Sequence, residues 1–82
     1  METMVGRIAH YYPKVNVAVV ILEGHLAYGD MIHIRGHNDD FHQIVNSMEL
    51  DHEAITEADE GQDIGIRVSQ RVHEGDIVYR ET

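Results

Sequence analysis

Three times along the chain a glycine stands just ahead of an acidic residue and an apolar run: Gly29-Asp30-Met31-Ile32, Gly61-Gln62-Asp63-Ile64 and Gly75-Asp76-Ile77-Val78. Glycine takes the positive φ of a tight turn without steric cost, and an aspartate accepts hydrogen bonds from nearby backbone amides. Each signal therefore marks a turn feeding a strand. The segments between them are short and alternate apolar with polar residues, which is the period of a half-buried strand. Val5 to Tyr12 reads as a first strand, stopped at Tyr12-Pro13-Lys14, and Val15 to Leu22 as a second that is apolar almost throughout. In Met31 to Arg35, Ile32 and Ile34 alternate with His33 and Arg35; Gly36 to Asp40 is a turn by composition. Phe41 to Leu50 is the fourth strand, its parity placing Ile44, Met48 and Leu50 together, opposite Val45, Ser47 and Glu49. His52 to Glu60 is a structured connection, too short and acidic for a helix. Ile64 to Ser69 and Ile77 to Arg80 complete six strands. The expected fold is all-β, a small closed six-stranded antiparallel barrel, because closure removes the edges that so small a domain cannot otherwise protect.

Eighty-two residues make one domain, 1–82, with an ordered core over about 5–80. The formal charge of -9, from 15 acidic and 6 basic side chains, repels phosphate backbones and argues against DNA or sequence-independent nucleic-acid binding. The absence of cysteine excludes disulfides, thiolate catalysis and cysteine-based zinc sites. No apolar run is long enough to cross a bilayer and the N-terminus lacks the pattern of a signal peptide, so a cytoplasmic protein without membrane contact is expected.

Seven histidines raise the question of a metal. The densest cluster is His37, Asp39, Asp40 and His42, but strand alternation sends neighbours to opposite faces, and His33 and His37, if extended, stand about 13 Å apart. No metal ligand set or cofactor is assigned, and His-mediated metal binding stays as a second alternative. Ser47 and Ser69 lie in strands without a nucleophile elbow, so no enzyme is expected. Tyr12, His37 and Phe41 are the expected partner surface.

The run Glu49-Leu50-Asp51-His52-Glu53-Ala54 leading to Gly61-Gln62-Asp63-Ile64-Gly65 resembles the second domain of the elongation factors that carry aminoacyl-tRNA. Val5-Gly6-Arg7-Ile8, Tyr28-Gly29-Asp30-Met31-Ile32 and Glu74-Gly75-Asp76-Ile77-Val78 are similar to other turns of that barrel, and the likeness spans roughly Val5 to Tyr79. The whole chain looks like the small stand-alone proteins described as translation elongation factor-like; similar barrels also end some collagenase-like peptidases. The resemblance implies a ligand pocket at Glu49, His52 and Asp63, where Glu49 is retained, His52 fits the archaeal and eukaryotic branch, and Asp63 replaces an asparagine. No phosphate-cradling loop of a GTPase domain is present. The expected function is a non-enzymatic binding module of the translation type. The acidic balance tilts it towards a protein partner, with a structured RNA or tRNA end as the alternative and homodimerisation as an option.

Overall fold

The computed structural model describes residues 1–82. Ten strands form in chain order: β1 (Glu2–Tyr12), β2 (Val17–Leu22), β3 (Leu26–Ala27), β4 (Met31–Arg35), β5 (Asp40–Ile44), β6 (Met48–Leu50), β7 (Glu53–Ala54), β8 (Glu57–Ala58), β9 (Asp63–Arg67) and β10 (Ile77–Glu81). Eight make one sheet in the order β5-β4-β10-β1-β2-β9-β6-β7, and β3 pairs with β8; every pairing is antiparallel. There is no helix long and apolar enough to cross a membrane.

The glycine turns are one device used three times. Gly29, Gly61 and Gly75 take φ of 92°, 91° and 94°. In each four-residue turn the last N–H returns to the first carbonyl: Asp30 to Ala27 at 3.1 Å, Gln62 to Asp59 at 3.2 Å and Asp76 to His73 at 3.1 Å. The last side chain then accepts from the first N–H, through Asp30 Oδ2 at 2.9 Å, Gln62 Oε1 at 2.7 Å and Asp76 Oδ2 at 3.0 Å. Each turn also clamps one residue of another segment. The glycine N–H donates to that residue's carbonyl, and its N–H donates to the carbonyl of the turn's last residue. The clamped residues are Val45, Leu22 and Ile8, held by bonds of 2.8 to 3.0 Å. All three are at most 1% exposed and belong to the core with Val5, Val20, Ile32, Ile34, Ile64, Ile66 and Val78.

The clamp on Val45 breaks the strand expected over Phe41 to Leu50. Val45 turns inward, Ile44 is 48% exposed, and the chain restarts as β6, so the expected parity is reversed at this point. The closed six-stranded barrel is corrected with it. β5 and β7 remain as sheet edges, and no strand ladder joins β5 to β9. Instead the Gln43 side chain bridges them, its Nε2 donating to the Arg67 carbonyl at 2.9 Å and its Oε1 accepting from Ser69 N–H at 2.7 Å. The connection expected over His52 to Glu60 contains two short strands, β7 and β8.

The third turn has a further layer. Asp76 is 3% exposed and faces Asp39, whose Oδ2 lies 2.7 Å from His73 Nδ1. Burial, then the hydrogen bond it gives to Asp39, pushes the Asp76 carboxyl above the usual carboxylate range. Asp39 falls below that range because it accepts this bond and one from His73. The two carboxyls thus titrate apart, Asp76 above and Asp39 below the usual carboxylate range. Gly36 is obligatory beside it, since a Cβ there would meet Asp76 Oδ1 at 1.7 Å.

A raised carboxylate pKa favours the folded state below the unfolded value and loses that favour as pH rises through the folded value. Asp76→Asn mimics the protonated acid and cannot ionise. Its stability relative to the unmodified chain is expected to rise with pH in urea unfolding once the pH passes the ordinary carboxylate range, about pH 4. Asp76→Ala and Gly36→Ala, which abolish or displace the acceptor of the His73 N–H, are expected to cost about 2 kcal/mol.

Candidate functional site

Strand alternation turns Val17 and Val19 of β2 away from the core, and β9 presents Asp63 and Gly65 on the same side. In the ladders Val19 pairs with Gly65 and Gly65 with Glu49. Glycine therefore sits between a valine and a glutamate, and its missing side chain leaves the floor of a trough. A Cβ at Gly65 would meet only Val17 Cγ1, at 3.4 Å, an ordinary contact. The trough is an open groove of about 420 Å³. Val15, Val17, Val19 and Tyr12 line it together with Glu49, Asp51, His52 and Asp63. Tyr12 is 50% exposed, and its ring stands edge-on to His10 with centroids 4.4 Å apart.

The groove has one apolar wall and one acidic wall. Glu49, Asp51, His52 and Asp63 enter no side-chain hydrogen bond or ion pair within the chain, so their polar atoms face solvent. Asp63 is free because Gln62 supplies the acceptor in its turn, unlike Asp30 and Asp76. Asp51 and His52 form the two-residue loop of the β6–β7 hairpin, closed by the Leu50–Glu53 pair, at φ of 52° and 67°. A loop with two left-handed residues suits the sheet's twist but ordinarily takes Asn-Gly. Side chains with a Cβ are strained there, and the hairpin pairing places His52 at the groove.

Structure thus assembles Glu49, His52, Asp63 and Tyr12, the residues singled out from the sequence, in one place. Sequence reasoning missed Asp51 and the floor at Gly65, although a glycine between Ile64 and Ile66 in an alternating strand signals a gap on the outer face. The expected partner surface is not assembled. Phe41 is a core residue, 7% exposed, because it alternates inward on β5. His37 lies on the exposed loop with Asn38, apart from Tyr12.

His37, Asp39, Asp40 and His42, the densest histidine–carboxylate group in the sequence, to which no metal was assigned, do not converge on one another. Asp39 turns to His73 and Asp76, whereas Asp40 and His42 meet residues of other strands. His33 on β4, 11% exposed at its side chain, places Nδ1 at 2.5 Å from Glu2 Oε2 and Nε2 at 2.5 Å from Asp40 Oδ1. His42 stacks on it with ring centroids 4.0 Å apart and places Nε2 at 2.9 Å from Glu81 Oε1. The hydrogen bond to Asp40, reinforced by Glu2 and opposed by burial, raises the His33 pKa above its ordinary value.

Replacing Asp51-His52 by Asn-Gly is expected to stabilise the hairpin by about 1 kcal/mol through relief of left-handed strain, read as a higher urea midpoint at unchanged slope.

No protein-family model matches the chain. It is 36% identical over 76 residues to an uncharacterised protease of Methanocaldococcus jannaschii, an alignment covering 92% of this chain and 19% of that protein. Two crystal structures of the C-terminal domain of a candidate U32 peptidase from Geobacillus thermoleovorans superpose with TM-scores of 0.89 and 0.90 at 18% identity. Each covers 96% of this chain, and the matches span 99% and 92% of those domains. These findings overturn the expected kinship with the elongation-factor barrel and the translation-type role, including its RNA-end alternative. The chain has the fold of U32 peptidase C-terminal domains, and it is similar in sequence to one part of a protease.

Proposed function

We propose that this chain is an accessory domain of a U32-type peptidase system, one that holds polypeptide for a catalytic domain and does not itself cleave it. The observation that carries the reading is the 36% match running through nearly all of this chain and only 19% of a protease. A segment so small beside its relative fits a part with a supporting task. Consistent with this, neither Ser47 nor Ser69 has a hydroxyl hydrogen-bonded to an imidazole, and the chain has no cysteine nucleophile.

The groove supplies the mode of engagement. Val17, Val19 and Tyr12 would cover an aliphatic side chain, while Glu49, Asp51 and Asp63 would face a lysine or arginine beside it. An extended segment with a basic residue between aliphatic ones matches both walls, and the net charge of -9 favours its approach. Gly65 lets the backbone of such a segment come close to the sheet.

Fluorescein-labelled peptides with lysine or arginine between valines should bind, less tightly as salt rises. Counterparts with glutamate in that position should not. Glu49→Gln and Asp63→Asn are each expected to weaken binding roughly three- to tenfold, as for a rim ion pair worth about 1 kcal/mol. Gly65→Ala should weaken it while leaving the unfolding transition in place. Equal binding of basic and acidic peptides, or indifference to all three substitutions, would remove the groove from the reading.

A further inference from the structure

Outside the groove, four strands bring one histidine–carboxylate cluster together. Glu2 comes from β1, His33 from β4, His42 from β5 and Glu81 from β10. The ladders dictate the meeting: His33 pairs with His42, and Glu2 with Glu81. Two carboxylates directly opposite each other repel, so this pairing calls for positive charge between them.

Counting protons on His33 sharpens the requirement. Both of its ring nitrogens face a carboxylate oxygen, Nδ1 towards Glu2 and Nε2 towards Asp40. A neutral imidazole carries one proton and satisfies one of them. If that proton sits on Nε2 and is donated to Asp40, the Nδ1 lone pair points at an anionic oxygen, and a cation must stand between. The cation is either a second proton or a metal ion. An imidazole that donates one N–H to a carboxylate and offers its other nitrogen is also the arrangement in which protein carboxylates orient metal-ligating histidines.

The other atoms favour the metal. Glu2 Oε2, His33 Nδ1 and His42 Nε2 all lie within 4.8 Å of one another, and Glu81 Oε1 is 2.9 Å from His42 Nε2. Two imidazoles and two carboxylates make a four-ligand set of the kind zinc accepts, with bonds of about 2.0 to 2.2 Å that modest side-chain rotation would provide. His33 is nearly buried and fixed on the sheet, whereas the side chains of His42, Glu2 and Glu81 are 49%, 30% and 37% exposed. One wall is therefore rigid, and the other is open to solvent for entry.

We propose that Glu2, His33, His42 and Glu81 form a binding site for a divalent cation of the zinc class, with Asp40 as the residue that positions His33. In this arrangement the metal is held at His33 Nδ1 while Nε2 faces Asp40. Site and groove share no residue, so this inference does not depend on the peptide reading.

The test uses untagged chain stripped with a chelator and titrated with zinc chloride by calorimetry in two buffers of different ionisation enthalpy, and with cobalt chloride by visible absorption. One ion per chain and the intense visible bands of four-coordinate cobalt are expected. Glu2→Gln and His42→Ala, both at the exposed wall, should each weaken zinc binding at least tenfold while unfolding cooperatively without metal. Asp40→Asn should weaken it about tenfold at unchanged stoichiometry and unchanged cobalt bands, as expected for loss of an outer partner. His10→Ala and His37→Ala should leave it unchanged. Failure to take up zinc, or uptake indifferent to both Glu2→Gln and His42→Ala, would overturn the proposal.

Discussion

The reciprocal grip between a glycine turn and a buried strand residue is the interaction on which the rest of this structure depends. In so short a chain most strands are brief, and the ladders shift register or end instead of staying paired to one partner for a strand's whole length. Ile8, Leu22 and Val45 are the residues at those points, each with its N–H and carbonyl committed to a turn. Without these bonds three buried peptide groups would lack partners, a cost a small core cannot absorb. The same grip takes Val45 inward and ends β5, which leaves an edge for Gln43 to seal with its side chain.

The groove arises where the repeated device is varied. In the Gly29 and Gly75 turns aspartate is the acceptor; in the Gly61 turn glutamine takes that task one residue earlier, and Asp63 is left with an unengaged carboxylate beside Glu49 and Asp51. Gly65 then opens the sheet surface between Val19 and Glu49. On another part of the sheet, the histidines and carboxylates of four strands satisfy one another, with His33 as the shared centre. Acidic excess is thus spent differently in the two places: exposed and unpaired at the groove, gathered around imidazoles at the cluster.

The likeness to the elongation-factor barrel rests on the Glu49–Ala54 run and on glycine turns in the same order. Such turns answer a backbone requirement that any small, strongly bent sheet must meet, so they speak to architecture more than to kinship. The U32 peptidase domains share this architecture over 96% of the chain. Glu49, His52 and Asp63 were found through that resemblance and do converge, yet their convergence follows from the β6–β7 hairpin and the Gln62 turn and needs no inherited tRNA pocket.

Alternation and turn chemistry, read from the residues alone, determined the all-β class, the inward positions of Ile32, Ile34, Ile64 and Ile66, and the three glycine turns. These are local properties: a period of two and a positive φ are set by neighbours in sequence. The inward turn of Val45, the burial of Phe41, the open sheet edge and the meeting of Glu2 with His33, His42 and Glu81 were decided only by tertiary structure. Each depends on which strands become neighbours and in what register, and side chains separated by most of the chain's length acquire their charge environment only when that pairing is made.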